Sequence, residues 1–295
     1  MNGVVLLQTG AAAVLNGAFA WLVGVLCARA WLAGPYPALL SRLAPALRRS
    51  GLAACATGLL AGACGLWAAT ALMADTGLAE AATSVSQVAL ETSYGRACLY
   101  ALAALGASAI LLAARPRPWT GPALGLALFG FALARACVSH AGEHGMLTIP
   151  YGLEVLHLLL IGVWAGGVAL AASLVLPGAL AMTQAIPDYL ARLSSAATVA
   201  LGGIVATGAF AAWQRLSQPS EVAELAAHPY AQALVLKLVL VFLAVLLGAY
   251  NRFFGFPMAA QDGGRRAVTV LRIETAILIL ALLAAARLTV LQPPG

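Results

Sequence analysis

Lysine is almost missing from these 295 residues: Lys237 is the only one, and all charged residues together make up 9% of the chain. A water-soluble protein carries about 25% charged residues, because its surface has to be wetted. That shortage excludes a soluble globular domain and removes the compositional basis for a disordered, fibrous or nucleic-acid-binding chain. Cysteine is also scarce: five residues, at 27, 55, 64, 98 and 137, all within or at the edge of apolar stretches. An odd number without loop pairs gives no disulfide framework, and these thiols read as small buried hydrophobes. There is no phosphate-binding loop for ATP and no nucleophile–base pair with a pocket to act on. The expected role is therefore not enzymatic.

What is abundant is apolar surface, with 62% hydrophobic residues and a mean hydropathy of +0.94. Lipid is the solvent such a composition requires. A hydrocarbon core about 30 Å thick takes about 20 apolar residues per helix. Eight segments meet that length, approximately 4–33, 51–73, 96–114, 120–139, 151–176, 193–216, 231–250 and 269–290. Proline and glycine punctuate the breaks, at Gly34-Pro35, Pro116 and Pro118, Pro177-Gly178 and Gly255-Phe256-Pro257. Ala18-Phe19-Ala20 resembles a signal-peptide cleavage site, but no basic stretch precedes it and the apolar run continues, so the segment is expected to be retained. The fold class is all-α: a polytopic transmembrane helix bundle of about eight spans, a single integral membrane domain over residues 1–295. The polar stretch 74–95, with spaced Leu78, Val85, Val88 and Leu90, reads as a short interfacial helix.

Eleven of the sixteen basic residues (Arg29, Arg42, Arg48, Arg49, Arg115, Arg117, Arg192, Arg252, Arg265, Arg266 and Arg272) fall on one side of this arrangement. Arg96, Arg215 and Arg287 fall on the other, with Asp75, Glu80, Glu91, Glu143, Glu154, Glu221 and Glu224. Basic loops stay in the cytoplasm. The expected orientation therefore puts both termini outside, and topology alone explains the pI near 9.4.

The chemistry gathers at the outer half. His140, His144 and His157 lie within eighteen positions around the hairpin between the fourth and fifth spans, with Cys137, Glu143, Met146 and Glu154 beside them. Imidazole with sulfur and carboxylate suits a transition metal, Cu(II) or Zn favouring His and Cu(I) favouring sulfur. Positions 137, 140 and 144 share one helix face, and Glu154, His157 and Trp164 form a stripe on the next helix. At 1.5 Å per residue His157 lies about 9 Å inside its span, where an ionisable group marks a functional site by default. Met146 on its own reads as packing, and His228, before Pro229, as a loop residue. Arg135 and Lys237 also fall inside spans. They read either as ion-pair partners for Glu154 or as the lining of a wet path. Gly162, Gly166, Gly167, Gly202 and Gly203 read as points of close helix approach.

Ser139-His140-Ala141, Leu156-His157 with Trp164-Ala-Gly166-Gly167, Leu236-Lys237, and Gly248-Ala-Tyr-Asn251-Arg252 together resemble the CopD copper-resistance family of inner-membrane proteins, most strongly over residues 135–258. The resemblance implies an eight-span permease of the bacterial inner membrane with both termini periplasmic, carrying copper into the cytoplasm. It implies His140 and His157 as ligands and a separate periplasmic CopC-like carrier as partner. His144, Glu143, Met146 and Cys137 rest on proximity alone. The oxidation state of the copper, Cu(I) or Cu(II), stays open, and without the resemblance zinc fits as well. Two other functions remain open: an electron-transfer protein holding one haem b between His140 and His157, and a copper-binding sensor or assembly component that transports nothing. In the inner half no Cys-x-x-Cys or paired-Met relay is present.

Overall fold

A computed structural model describes residues 2–142, 145–179, 185–215, 228–259 and 264–291. Among these the secondary structure is helical throughout, with no strand. Among the described residues eight helices are long and apolar enough to cross a membrane: Gly3–Ala33, Pro37–Met73, Ser93–Ala113, Thr120–Cys137, Ile149–Ala179, Ile186–Gln214, Pro229–Gly255 and Arg265–Leu288. In this order they are the first to eighth spans.

The expected segments are recovered, with two differences of physical interest. The second helix starts at Pro37, well before residue 51. Arg42, Arg48 and Arg49 keep this extension below the hydropathy of a span, yet Leu39, Leu43 and Leu47 are buried at intervals of four. That spacing is one face of a helix, so the extension is an amphipathic continuation. The second difference corrects the break expected at Pro177-Gly178: the fifth helix runs through both residues to Ala179. A proline inside a helix lacks the N–H that bonds the preceding turn. Here the turn just before it, Ala171–Val175, is already widened into a π-helix, as is Gly162–Gly166. The π-helical register absorbs the lost bond without ending the helix.

The stretch 74–95 forms two short helices, Leu78–Ala81 and Val85–Glu91. Trp67 Nε1 pins the first by donating to the Leu78 carbonyl at 2.8 Å.

Lipid offers apolar helices no hydrophobic drive to associate, so close packing has to hold the bundle. The first span is the centre of it, packed against the second and fifth and also touching the eighth. Its closest neighbour is the fifth span at Gly166. A Cβ on Gly166 would collide with the Ala20 carbonyl, and one on Gly24 with the Gly166 carbonyl. Gly162 packs on the side chain of Val23, Gly167 on that of Leu193 and Gly203 on that of Leu160, whereas Gly202 has open space around it. Phe19 and Phe131 stack at 4.8 Å between the first and fourth spans. Tyr36, between the first two spans, donates to Asp188 Oδ2 of the sixth at 2.6 Å. The third span packs on the second and fourth, the sixth on the fifth, and the seventh on the eighth.

Candidate metal site and a mid-membrane carboxylate

One end of the bundle carries Arg42, Arg115, Arg117 and Arg265, and the other carries the 140s hairpin. The face at the hairpin is the Arg-poor face.

His157 sits eight residues into the fifth span, about 12 Å along the helix at 1.5 Å per residue. Its Nδ1 lies 2.7 Å from Oγ1 of Thr207 on the sixth span. The Thr207 hydroxyl is itself 2.7 Å from the Gly203 carbonyl, one helical turn back. A carbonyl only accepts, so the hydroxyl proton goes to Gly203 and the oxygen accepts from the imidazole. Nδ1 therefore carries the ring proton, and Nε2 keeps its lone pair, the arrangement of a metal-ligating histidine with its second nitrogen anchored. Thr207 is buried, at 6% exposed, which keeps water from competing for this bond. Lys237 of the seventh span lies eight residues inside its helix, at the same depth, and its charge bears on His157.

The other expected ligands divide among different neighbours. Cys137 ends the fourth span, its Sγ 3.5 Å from the Tyr151 Oη, which in turn donates to the Leu133 carbonyl at 2.9 Å. Since the phenol proton is committed to Leu133, the thiol is the donor to Tyr151. Glu154 is half-buried one turn outward of His157, and both it and Lys237 have interaction partners. Met146 is 66% exposed in the hairpin turn. Arg135 turns towards Tyr94 and Cys98 of the third span, with Gln8 of the first span bonded to the same Tyr94. Its Nε is buried without a hydrogen-bond partner. The backbone of His140 begins a single 3₁₀ turn, His140–Gly142, right after the fourth span. Its side chain, and Glu143 and His144 altogether, lie outside the described residues. Among the described residues no group of three or more His, Cys, Asp or Glu side chains could hold a metal ion.

Trp164, expected to continue the His157 stripe, is buried farther along the same helix and donates from Nε1 to Glu274 Oε1 at 3.1 Å. Glu274 was absent from the sequence-derived candidates. It is 1% exposed, near the middle of the eighth span. A lone acid inside the apolar run 273–280 is itself a sequence signal for a functional position. The carboxylate lines a cavity of about 150 Å³ between the sixth and seventh spans, with Ser194, Thr198, Gly248 and Arg252 on its other walls.

Thr207 could not be found in this way, because a threonine in a membrane helix ordinarily satisfies itself on the preceding turn. Only the neighbouring imidazole gives it a role.

Two family models match the chain: Copper resistance protein D-like, N-terminal domain, over residues 3–149, and Copper resistance protein D, over residues 187–288. Comparison with curated proteins and with solved structures gives no match. Thr207, Lys237, Arg252 and Glu274 fall within the second matched stretch, while His157 and Trp164 lie between the two. With eight candidate spans and matches over most of its length, the chain belongs to the copper resistance protein D family and is a multi-pass membrane protein.

Proposed function

We propose that the chain is a copper permease of the bacterial inner membrane, not an enzyme, and that copper enters it from the periplasm at the Arg-poor face. Both termini are then periplasmic, the orientation that the distribution of arginine favours. Copper, as the transported substrate, is received from a separate CopC-like periplasmic carrier at the 140s hairpin, where His140, His144 and Met146 offer nitrogen and sulfur. It then passes to His157.

The observation that carries this reading is the anchored imidazole. The Thr207 hydroxyl holds His157 Nδ1 at 2.7 Å, so Nε2 is presented as a lone-pair donor below the surface. Neutral imidazole suits copper in either oxidation state. The positive charge of Lys237 at the same depth weakens cation binding there. A site on a path must release its ion as well as take it up.

The test is copper uptake into proteoliposomes, comparing Cu(I) and Cu(II), for the wild type and for the His140→Ala/His157→Ala double variant. Uptake by the wild type, reduced at least about tenfold in the double variant, supports the permease. Wild-type vesicles that bind copper outside and accumulate none would leave a sensor or assembly component. A Soret band in the purified protein would replace the permease with a haem protein.

A further inference from the structure

The cavity between the sixth and seventh spans has no part in the copper site at His157, and its chemistry is different. The sixth span leans on the fifth and the seventh on the eighth, which leaves a cleft between them. Arg252 crosses that cleft on the Arg-rich side, donating to Thr198 Oγ1 at 2.6 Å and to Ser194 Oγ at 3.3 Å. Glu274, on the eighth span, stands deeper in the same cavity, ten residues beyond Gly264, about 15 Å along the helix. Among the described residues the Trp164 N–H is the only hydrogen-bond donor to its carboxylate, and no cation is paired with it. Gly248 keeps the space in front open: a Cβ there would come to 3.4 Å from Glu274 Oε1. The carboxylate is thus buried, bonded through one oxygen, and faces an open volume.

The occupant must suit these groups. Among largely apolar walls, the polar side chains offer lone pairs on oxygen alone, a poor set for Cu(I). Two of those oxygens already accept from Arg252, whose charge in the same cavity opposes a metal cation. A proton requires a single carboxylate lone pair and can arrive through water. We infer that Glu274 is a proton-exchange site, with Arg252 as the latch on the Arg-rich side, and that it couples copper movement to the proton gradient.

The step is simple in atoms. A proton from water on one side forms an O–H bond on the carboxyl group and later returns to water on the other side; no electron moves. The other groups around Glu274 do not substitute for it. The segment 162–175 of the fifth span brings Trp164 and no titratable side chain. The sixth span brings Ser194 and Thr198, and the seventh Arg252. On the first span, Cys27 bears on Tyr189 and Arg29 on Arg48. Arg272 on the same helix as Glu274 is exposed.

This inference rests on the permease reading for its coupling, but the proton site can be tested separately. Infrared difference spectra of the purified full-length protein across a pH series should show the carbonyl stretch of a protonated carboxylic acid that is missing in Glu274→Gln. In Trp164→Phe, which keeps the carboxyl group and removes its donor, the same band should shift. A pH series without a Glu274-dependent band overturns the inference. Should Glu274→Gln fail to fold, an unmoved or missing band in Trp164→Phe overturns it equally. In proteoliposomes an imposed pH gradient should change wild-type copper uptake several-fold and Glu274→Gln uptake not at all, with copper binding at the Arg-poor face unaltered. Gradient-sensitive uptake that persists in Glu274→Gln would sink the coupling. A titrating band in a protein that moves no copper would instead sink the permease reading and leave the proton site standing.

Discussion

Thr207 fixes the tautomer of His157: its hydroxyl gives its proton to the Gly203 carbonyl, and its oxygen, 2.7 Å from Nδ1, accepts the imidazole N–H. A single hydroxyl on the sixth span thereby decides which nitrogen of a residue on the fifth can meet a cation.

Replacing Thr207 by Val keeps the shape and removes the hydroxyl. Copper affinity should fall about tenfold, the usual cost of losing an outer-shell partner of a ligating histidine, while Thr207→Ser retains most of it. A copper titration against a competing chelator measures the difference. Equal affinities for Thr207→Val and the wild type would remove His157 from the site.

Lys237→Met removes a positive charge that bears on His157. Like charges repel through a partly apolar medium more strongly than through water, so copper binding should tighten by on the order of tenfold. Uptake should slow as release becomes limiting. Loss of folded protein in detergent would show instead that Lys237 holds helices together.

Where the first and fifth spans cross, Gly24 and Gly166 leave no room for a side chain. Gly166→Leu should prevent accumulation of a monodisperse protein, because the obstacle is the Ala20 carbonyl and backbone cannot rotate aside. Gly202→Ala, with nothing within 4 Å of the added carbon, should fold normally and gain up to about 1 kcal/mol of stability. Size-exclusion profiles and thermal unfolding in detergent compare the two. A normal profile for Gly166→Leu would refute the contact.

Orientation has its own test. A reporter enzyme that becomes active only outside the cytoplasm should be active when fused after residue 291 and inactive when fused in the loop at Arg117. The reverse pattern would invert the topology and with it the direction of copper flow.

Most of the fold could be read in the sequence because lipid imposes one rule on every span, a minimum apolar length. That rule loses the Pro37–Ser50 extension, where three arginines dilute the average although Leu39, Leu43 and Leu47 keep a helical stripe. It also reads Pro177 as a stop, because hydropathy carries no information about a π-helical turn four residues earlier. At the site, His157 stood out as an imidazole in an apolar run, and Glu274 carried the same kind of signal in its own run. Trp164 was legible as part of the His157 stripe but not as the partner of Glu274, and Thr207 was legible only as a residue. Which helix faces which is set by shape, at contacts such as Gly24 against Gly166, and single-helix periodicity does not encode it.

The meeting of Gly24 and Gly166 bears on how this chain can diverge. The two family matches stop at residue 149 and resume at residue 187, so the fifth span falls almost whole in the gap between them. Backbone touching backbone at its midpoint still makes it a keystone, locked where glycine is the only residue that fits.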